Sequence, residues 1–176
     1  MAILKIRTWP DEVLKKRARF LAGPGEALDR LIADMRETLY AAPGVGLAAP
    51  QVGESLRLIV VDPTAGAEEG HFRAVLNPAV VESEGEQVCE EGCLSVPGET
   101  AEVRRALQIR LTGLTSAGEK IDEWIEGFPA VIYQHEIDHL DGKLFLDRLS
   151  ALKRGMMVKR LKKGTKAPTR AARSAL

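Results

Sequence analysis

The sequence predicts an α+β fold in which mostly antiparallel strands pack around a central helix, with a further helix near the C-terminal end. Short apolar segments typical of strands cluster in the middle of the chain, and amphipathic helical patterns precede and follow them. Strands grouped between helices, rather than alternating with them, favour antiparallel pairing. A length of 176 residues with 45% apolar residues suits one domain with a substantial core.

Five elements are predicted in the first part of the chain. Residues 24–42 form a helix, because apolar residues recur at spacings of three and four, at Leu28, Leu31, Ile32, Met35 and Leu39. Residues 57–62 and 73–77 are predicted strands, and the apolar run in the first indicates that it is buried. Residues 102–112 alternate loosely between polar and apolar, and residues 119–125 form a short strand.

The segment at residues 128–141 is predicted to be the central helix. Pro129 suits its first turn, where the missing backbone donor would go unused, and Asp141-Gly142 provides a stop. One stripe of this helix combines apolar residues with both histidines, at Phe128, Val131, Ile132, His135, His139 and Leu140. The imidazoles are therefore expected on the buried side.

Residues 135–139 have the pattern His-Glu-x-x-His, which is typical of metal hydrolases. On a helix, His135 and His139 lie one turn apart on the same face, within reach of one metal ion. Glu136 is then placed beside the metal, where a general base for an activated water belongs. The alternative is a pair of hydrogen-bonded polar residues on a semi-buried helix.

A catalytic zinc-type site needs a third protein ligand and an open position for water. The sequence after the helix offers little, since Phe145 stands where one common motif has its third histidine. Residues 148–176 contain no Asp or Glu, and Asp147 is the only carboxylate left after the Asp141 turn. The third ligand is therefore expected upstream.

Three upstream residues could complete the site. His71 lies in a polar, glycine-containing segment, which favours a solvated histidine. Cys89 follows Val88 in a strand-like run and is expected to be a small buried apolar residue. Cys93 follows a glycine and begins an irregular segment of the kind that carries functional groups, so it is the predicted third ligand.

Three segments resemble the motifs of bacterial peptide deformylases: residues 44–51 (GVGLAAPQ), 91–95 (EGCLS) and 134–139 (QHEIDH). Their order and spacing also match, and the resemblance runs from residue 3 to about residue 148. Taken alone, the glycines of the first segment would indicate a helix end and a tight turn. Together the three motifs are far more specific than any one of them.

The resemblance implies a hydrolase that removes the formyl group from the N-terminal formyl-methionine of nascent polypeptides and releases formate. In that reaction we expect hydroxide on the metal to attack the formyl carbon, with Glu136 acting as general base and then as general acid. The resemblance also implies that Gln51 and the Leu94 backbone N–H stabilise the oxyanion, and Gly46 completes the expected catalytic set. The methionine side chain is expected in an apolar pocket beside the metal, lined by Val45, Phe128, Val131 and Ile132.

The metal is expected to be one divalent ion per chain, bound by Cys93, His135 and His139. The resemblance implies Fe(II), with zinc, nickel or cobalt also able to bind. A thiolate and two imidazoles are compatible with all of these metals, so ligand chemistry alone does not select one.

The net charge of zero conceals two oppositely charged parts. Residues 148–176 hold 10 of the 25 Lys and Arg and none of the 25 Asp and Glu, so this segment carries +10 and residues 1–147 carry −10. We expect residues 1–147 to form the catalytic domain and residues 148–176 to form a basic helix and tail. The helix is predicted at about 150–163, docked through Leu149, Leu152 and Met156.

A basic segment is attracted to polyanions, and the resemblance implies a C-terminal helix near the ribosomal exit tunnel, so the ribosome is a predicted partner of residues 148–176. No apolar run is long enough to span a bilayer, and the first residues lack an apolar signal core. Two cysteines without such a signal fit a reducing compartment. The expected location is the cytoplasm, with no membrane partner.

Two other functions use the same residues. A structural zinc site in a nucleic-acid-binding protein would use Cys89, Cys93, His135 and His139, but a closed site has no use for Glu136, and the spacing differs from that of zinc fingers. An ordinary His-Glu-x-x-His peptidase would need the downstream ligand that this sequence lacks.

Overall fold

A computed structural model describes residues 2–164 and confirms the α+β prediction. Within these residues there are three α-helices: α1 (Glu26–Ala41), α2 (Gly127–Leu140) and α3 (Ala151–Lys162). Seven strands lie between α1 and α2: β1 (Gly46–Ala48), β2 (Leu58–Val61), β3 (Arg73–Glu84), β4 (Gln87–Cys93), β5 (Val96–Arg105), β6 (Gln108–Leu114) and β7 (Lys120–Glu126). Short 3₁₀ helices occur at Glu12–Lys15, Ala49–Val52 and Phe145–Arg148.

All strand pairs are antiparallel, and they form two sheets. The larger sheet has five strands in the order β1-β2-β3-β6-β7, and β4 and β5 form a separate hairpin. The hairpin turn between Cys93 and Val96 leads back towards the body of the molecule, and a register shift between Gly92 and Cys93 bends the end of β4. The hairpin thereby brings Cys93 to the side of α2.

Helix α2 packs against the larger sheet and is buried almost all round. Every residue from Ala130 to Leu140 except Gln134 is buried, which is the pattern of a helix inside a core rather than of a surface helix. Its apolar neighbours in this core include Ile59, Val75, Ile109 and Leu111 on the sheet. A second cluster joins α1 to the sheet, and a third holds the β4–β5 hairpin against Phe145 and Met157.

The helix end predicted at Asp141-Gly142 is confirmed. Asp141 caps α2, and Gly142 adopts a positive φ of 73°. A Cβ atom at position 142 would lie 2.5 Å from the backbone oxygen of Lys15. Glycine is therefore required there both by conformation and by the close approach of the N-terminal arm.

Two predictions about the elements are wrong in detail. Residues 102–112 are not one strand, because β5 ends at Arg105 and β6 begins at Gln108 in the other sheet. Helix α3 forms close to its predicted range, but Leu152 and Met156 are 75% and 54% exposed. Met157 is buried instead, and Leu149 and Leu161 pack against the same cluster. The docking face of α3 therefore contains Met157 in place of the predicted Met156.

Within residues 2–164, no helix is long and apolar enough to cross a membrane. Residues 165–176, the last part of the predicted basic segment, lie outside the described residues.

Candidate metal centre and active site

The structure brings Cys93, His135 and His139 together, although Cys93 is more than forty residues away in sequence. Cys93 is the last residue of β4, and the two histidines lie one turn apart on α2. Their ligand atoms all lie within 4.8 Å of one another. The Sγ atom of Cys93 is 3.3 Å from Nε2 of His139, and all three side chains are buried.

Several polar atoms of this group have no hydrogen-bond partner among residues 2–164. They are Nε2 of His135, Nδ1 of His139 and both carboxylate oxygens of Glu136. Buried polar groups are normally paired, so orphaned atoms beside a thiol and two imidazoles need an explanation. One sulfur and two nitrogen ligands with a neighbouring carboxylate fit a divalent metal in an open catalytic site.

A buried chain of ion pairs supports His135. Its Nδ1 lies 2.9 Å from Oε2 of Glu91, and Arg105 binds both oxygens of Glu91 at 2.7 and 2.9 Å. Arg105 also contacts Asp138 at 2.6 Å, and Arg148 binds the same carboxylate at 2.5 and 3.0 Å. This network ties the β4–β5 hairpin to α2, since Glu91 and Arg105 lie on β4 and β5.

Sequence reasoning did not assign a role to Glu91, Arg105 or Asp138. The available signal was the placement of Glu91 two residues before Cys93, in the segment at residues 91–95. The partner Arg105 could not be identified from spacing, because the hairpin register that brings it to Glu91 is a tertiary feature.

The pKa values of these groups differ from their usual ranges for identifiable reasons. Burial alone would lower the pKa of His135, but the neighbouring Cys93 thiol and Glu91 carboxylate outweigh it and raise the value to about 10. Burial and the neighbouring charge of His135 hold the pKa of His139 well below its usual value. Despite burial, Arg105 and His135 lower the pKa of Glu91, so that carboxylate stays ionised.

Glu136 behaves differently from Glu91. Its carboxylate is fully buried, and burial raises its pKa to about 7. A carboxyl group with a pKa near the working pH can both accept and return a proton. The position beside the Cys-His-His group and the raised pKa together give Glu136 the properties of a general acid and base.

Gln51 lies against the same group. Its Nε2 is 3.6 Å from Sγ of Cys93 and 3.2 Å from Oγ of Ser95, and its Oε1 accepts a hydrogen bond of 2.7 Å from the Ala48 backbone N–H. The amide is therefore oriented with its donor end towards the thiol. Leu94 directly follows Cys93 in the turn between β4 and β5, so the two expected oxyanion donors flank the cysteine.

Gly46 lies in strand β1 and not at a helix end, so the helix-end and tight-turn interpretation of this glycine is wrong. A Cβ atom at position 46 would lie 2.5 Å from Oε1 and 2.9 Å from Cδ of Glu136. Glycine is present because the Glu136 side chain passes directly over the backbone of β1.

The residues expected to line an apolar substrate pocket lie in two environments. Val45, Val131 and Ile132 are buried in the cluster between α2 and the larger sheet. Phe128, in the first turn of α2, is 40% exposed. The buried stripe predicted for this helix therefore does not include Phe128.

Cys89 and His71 do not join the metal group. Cys89 is partly buried against the α2 core cluster and is a free thiol. His71 is half exposed and lies 3.2 Å from Glu68. Among residues 2–164 the group that could hold a metal consists of Cys93, His135 and His139, which leaves the four-ligand structural zinc site without its second cysteine.

Comparison with known proteins places the chain in one family. A family model described as polypeptide deformylase matches residues 3–155. A peptide deformylase from Desulfotalea psychrophila is 50% identical over 165 residues, which are 93% of this chain and 97% of that protein. A peptide deformylase from Syntrophobacter fumaroxidans is 46% identical over 96% of this chain and 99% of its own length.

Solved structures agree with the sequence comparison. The crystal structure of a peptide deformylase from Legionella pneumophila superposes with a TM-score of 0.87 at 46% identity, covering 97% of this chain and all of that one. A peptide deformylase from Ehrlichia chaffeensis in complex with actinonin gives a TM-score of 0.85 at 33% identity, covering 95% of this chain and all of that one. With this agreement in sequence and fold, the chain belongs to the polypeptide deformylase family.

Proposed function

We propose that Cys93, His135 and His139 hold the catalytic metal with which this chain performs the reaction of its family. As a peptide deformylase, the chain is a metal-dependent hydrolase that removes the formyl group from the N-terminal formyl-methionine of nascent polypeptides. The observation that carries the proposal is the set of buried, unpartnered atoms, Nε2 of His135 and both oxygens of Glu136, beside the Cys-His-His group.

When bound, the metal supplies a Lewis acid that polarises the formyl oxygen and lets water attack near neutral pH. Glu136 takes the proton of the attacking water on its carboxylate, since no other group among residues 2–164 occupies its oxygens. It then returns the proton to the amine nitrogen of methionine as the C–N bond breaks and formate leaves. Base catalysis of this kind is typically worth about 10²–10⁴-fold in rate.

Gln51 and Leu94 stabilise the negative charge that develops on the formyl oxygen. The hydrogen bond from Ala48 holds Oε1 of Gln51, so that Nε2 remains available as a donor. The backbone N–H of Leu94 is the second donor, next to Cys93. Removal of one such donor typically costs roughly 3 kcal/mol of transition-state stabilisation.

The proposed native metal is Fe(II), as the family resemblance implies. Zinc, nickel or cobalt could replace it, because a thiolate and two imidazoles accept all of these ions. The proposed substrate is a formyl-methionyl peptide whose side chain enters an apolar pocket of Val45, Phe128, Val131 and Ile132. Residues 1–147 are proposed to be the catalytic domain, and the proposed location is the cytoplasm.

The ribosome is the proposed macromolecular partner, through residues 148–176. Exposed cations on α3 and just after it support this proposal, at Lys153, Lys159, Lys162 and Lys163. Changing Lys159, Lys162 and Lys163 to Gln should weaken co-sedimentation with ribosomes at low salt and leave deformylation of short peptides unchanged. Unchanged co-sedimentation would contradict the proposal.

The decisive experiment is deformylation of formyl-Met-Ala by anaerobically purified protein, with metal analysis of the same sample. Cys93→Ser should lose both metal and turnover, while the matched variant Cys89→Ser should keep the metal stoichiometry of the wild type. Equal metal loss in the two variants would favour a four-ligand structural site over the proposed three-ligand site.

A further inference from the structure

A cavity of about 640 Å³ opens beside α2. The helix contributes Gln134, Ile137, Asp138 and Asp141, which recur at spacings of three and four and so share one face. None of Cys93, His135, Glu136 or His139 lines this cavity. It is therefore separate from the proposed metal centre, and its volume is typical of a small-ligand site.

Cations outnumber carboxylates in the wall of this cavity. Six cationic residues line it, against three acidic ones: Arg17, Arg57, Arg104, Arg105, Lys143 and Arg148, with Glu86, Asp138 and Asp141. The carboxylates are already engaged, because Asp138 is shared by Arg105 and Arg148, Glu86 binds Arg104, and Asp141 binds Arg57.

Two cations at the cavity remain available to a ligand. Arg17 is 80% exposed, and its one ion pair with the described part of the chain is a long contact of 3.7 Å to the Asp141 oxygen that Arg57 already occupies. Lys143 is exposed and forms no ion pair with any residue in the range 2–164. The cavity thus offers uncompensated positive charge, which attracts an anion.

Arg57 adds a buried donor and an aromatic neighbour. Its Nη1 and Nη2 bind Asp141 at 2.8 Å and the Pro78 carbonyl at 3.1 Å, but its buried Nε has no partner among the described residues. The guanidinium lies 5.2 Å from the centre of the Phe20 ring. Phe20 is 75% exposed, so the cavity presents a large aromatic surface beside its cations.

We propose that this cavity binds a nucleoside phosphate, either as a free nucleotide or as part of a single RNA strand. The phosphate lies against Arg17 and Lys143, and the base stacks on Phe20. A phosphate ion alone would leave most of the volume unfilled, whereas a planar base uses the exposed aromatic surface, as in proteins that bind single-stranded nucleic acids.

The proposal is tested by calorimetric titration of AMP into the metal-loaded full chain. AMP is suitable because its single phosphate chelates metals weakly, and deformylase activity in the same sample verifies that the metal is retained. Arg17→Gln with Lys143→Gln should weaken AMP binding at least about tenfold, since each charge-assisted hydrogen bond contributes severalfold or more. Both residues are exposed, so folding and basal deformylation should not change.

A matched control removes the same charge elsewhere. Arg30→Gln with Lys120→Gln deletes two exposed cations that do not line the cavity, and AMP affinity should change by less than about twofold, as screened surface charges predict. Equal loss in both double variants, or no saturable AMP binding by the wild type, would overturn the proposal.

The contribution of the base is tested with Phe20→Ala and two further probes. This substitution should weaken AMP binding and leave inorganic phosphate binding unchanged; equal affinities for AMP and phosphate, insensitive to the substitution, would overturn the nucleoside assignment. If a hexamer of adenylate binds tighter than AMP and shows the same dependence on Arg17 and Lys143, the source is an RNA strand. If AMP binds at least as tightly as the hexamer, the source is a free nucleotide.

Discussion

The carboxylate of Glu91 lies 2.9 Å from Nδ1 of His135, and both side chains are fully buried. This contact occupies one nitrogen of the imidazole and leaves the other, Nε2, as the nitrogen available to a metal. Arg105 holds Glu91 through two hydrogen bonds, so the carboxylate cannot easily turn away. The orientation of a proposed metal ligand is therefore set by a residue that does not itself reach the metal.

Glu91→Gln is expected to lower metal affinity by about 10–100-fold, the usual effect of removing a carboxylate behind a ligating histidine. The amide keeps the shape of the side chain but not its charge, and it leaves Arg105 less compensated. Affinity is measured by competition with a chromophoric chelator. Glu90→Gln is the matched control, because Glu90 is exposed and its side chain binds Thr100 alone among residues 2–164. An equal effect in both variants would argue against the positioning role.

Gly46→Ala is expected to reduce turnover by at least about tenfold while the metal remains bound. The new methyl group would lie 2.5 Å from Oε1 of Glu136, so the carboxylate must move away from its position as proton acceptor. Gly155→Ala is the control, since a Cβ at that position meets nothing within 4 Å. Wild-type kcat in Gly46→Ala would show that the close approach is not needed for catalysis.

The sequence predicted most of the elements and the ligand set, because periodicity and motif spacing are local features. Helices α1 and α2 were located by their apolar stripes, and His135 and His139 by their separation of one helical turn. Strand β1 was missed, since three residues give no periodic pattern. Gly46 was expected in the catalytic set, but the reason for a glycine there was not predicted, because the approach of Glu136 joins two segments that are distant in sequence.

The docking face of α3 shows why a short stripe is weak evidence. The predicted residues Leu149, Leu152 and Met156 have spacings that can share one face of a helix. The observed residues Leu149, Met157 and Leu161 can share one face as well. Only the position of the β4–β5 hairpin decides between the two sets, and it selects Met157 and Leu161. The sequence also could not identify Arg105 as the buried partner of Glu91, because the register of the β4–β5 hairpin brings the two residues together.

Glu136→Gln is expected to keep the metal and lose turnover by about 10²–10⁴-fold, because an amide of the same shape cannot accept the proton. Turnover is measured with formyl-Met-Ala, and metal content is measured in the same preparation. A ligand variant such as His139→Ala should instead lose the metal. More than about a tenth of the wild-type rate in Glu136→Gln would contradict its assignment as general base.

Phe128→Ala is expected to raise KM for formyl-Met peptides more than it lowers kcat, if this ring forms part of the methionine pocket. The side chain is 40% exposed, so its removal should disturb folding little. Trp124→Ala is the matched control, since Trp124 is an exposed aromatic residue on β7 and is 46% exposed. A KM change of the same size in both variants would remove Phe128 from the pocket.

In the metal-free protein, Glu136→Gln is expected to increase the free energy of unfolding in a pH-dependent way. Burial raises the pKa of Glu136 from 4.5 to about 7, so the folded state holds its proton over a range in which the unfolded state has released it. The stability of the wild type therefore falls as pH rises from about 4.5 to 7, while a glutamine stays neutral throughout.

The difference between the two proteins should grow across that window and level off above pH 7, at on the order of 3 kcal/mol in favour of the variant. Urea unfolding of chelator-treated protein at several pH values gives this difference, and titrating groups far from Glu136 cancel between the two proteins. Glu90→Gln again serves as the control and should show no such rise. If the difference does not depend on pH, burial does not raise the pKa of Glu136. A near-neutral pKa would then no longer support its role in proton transfer.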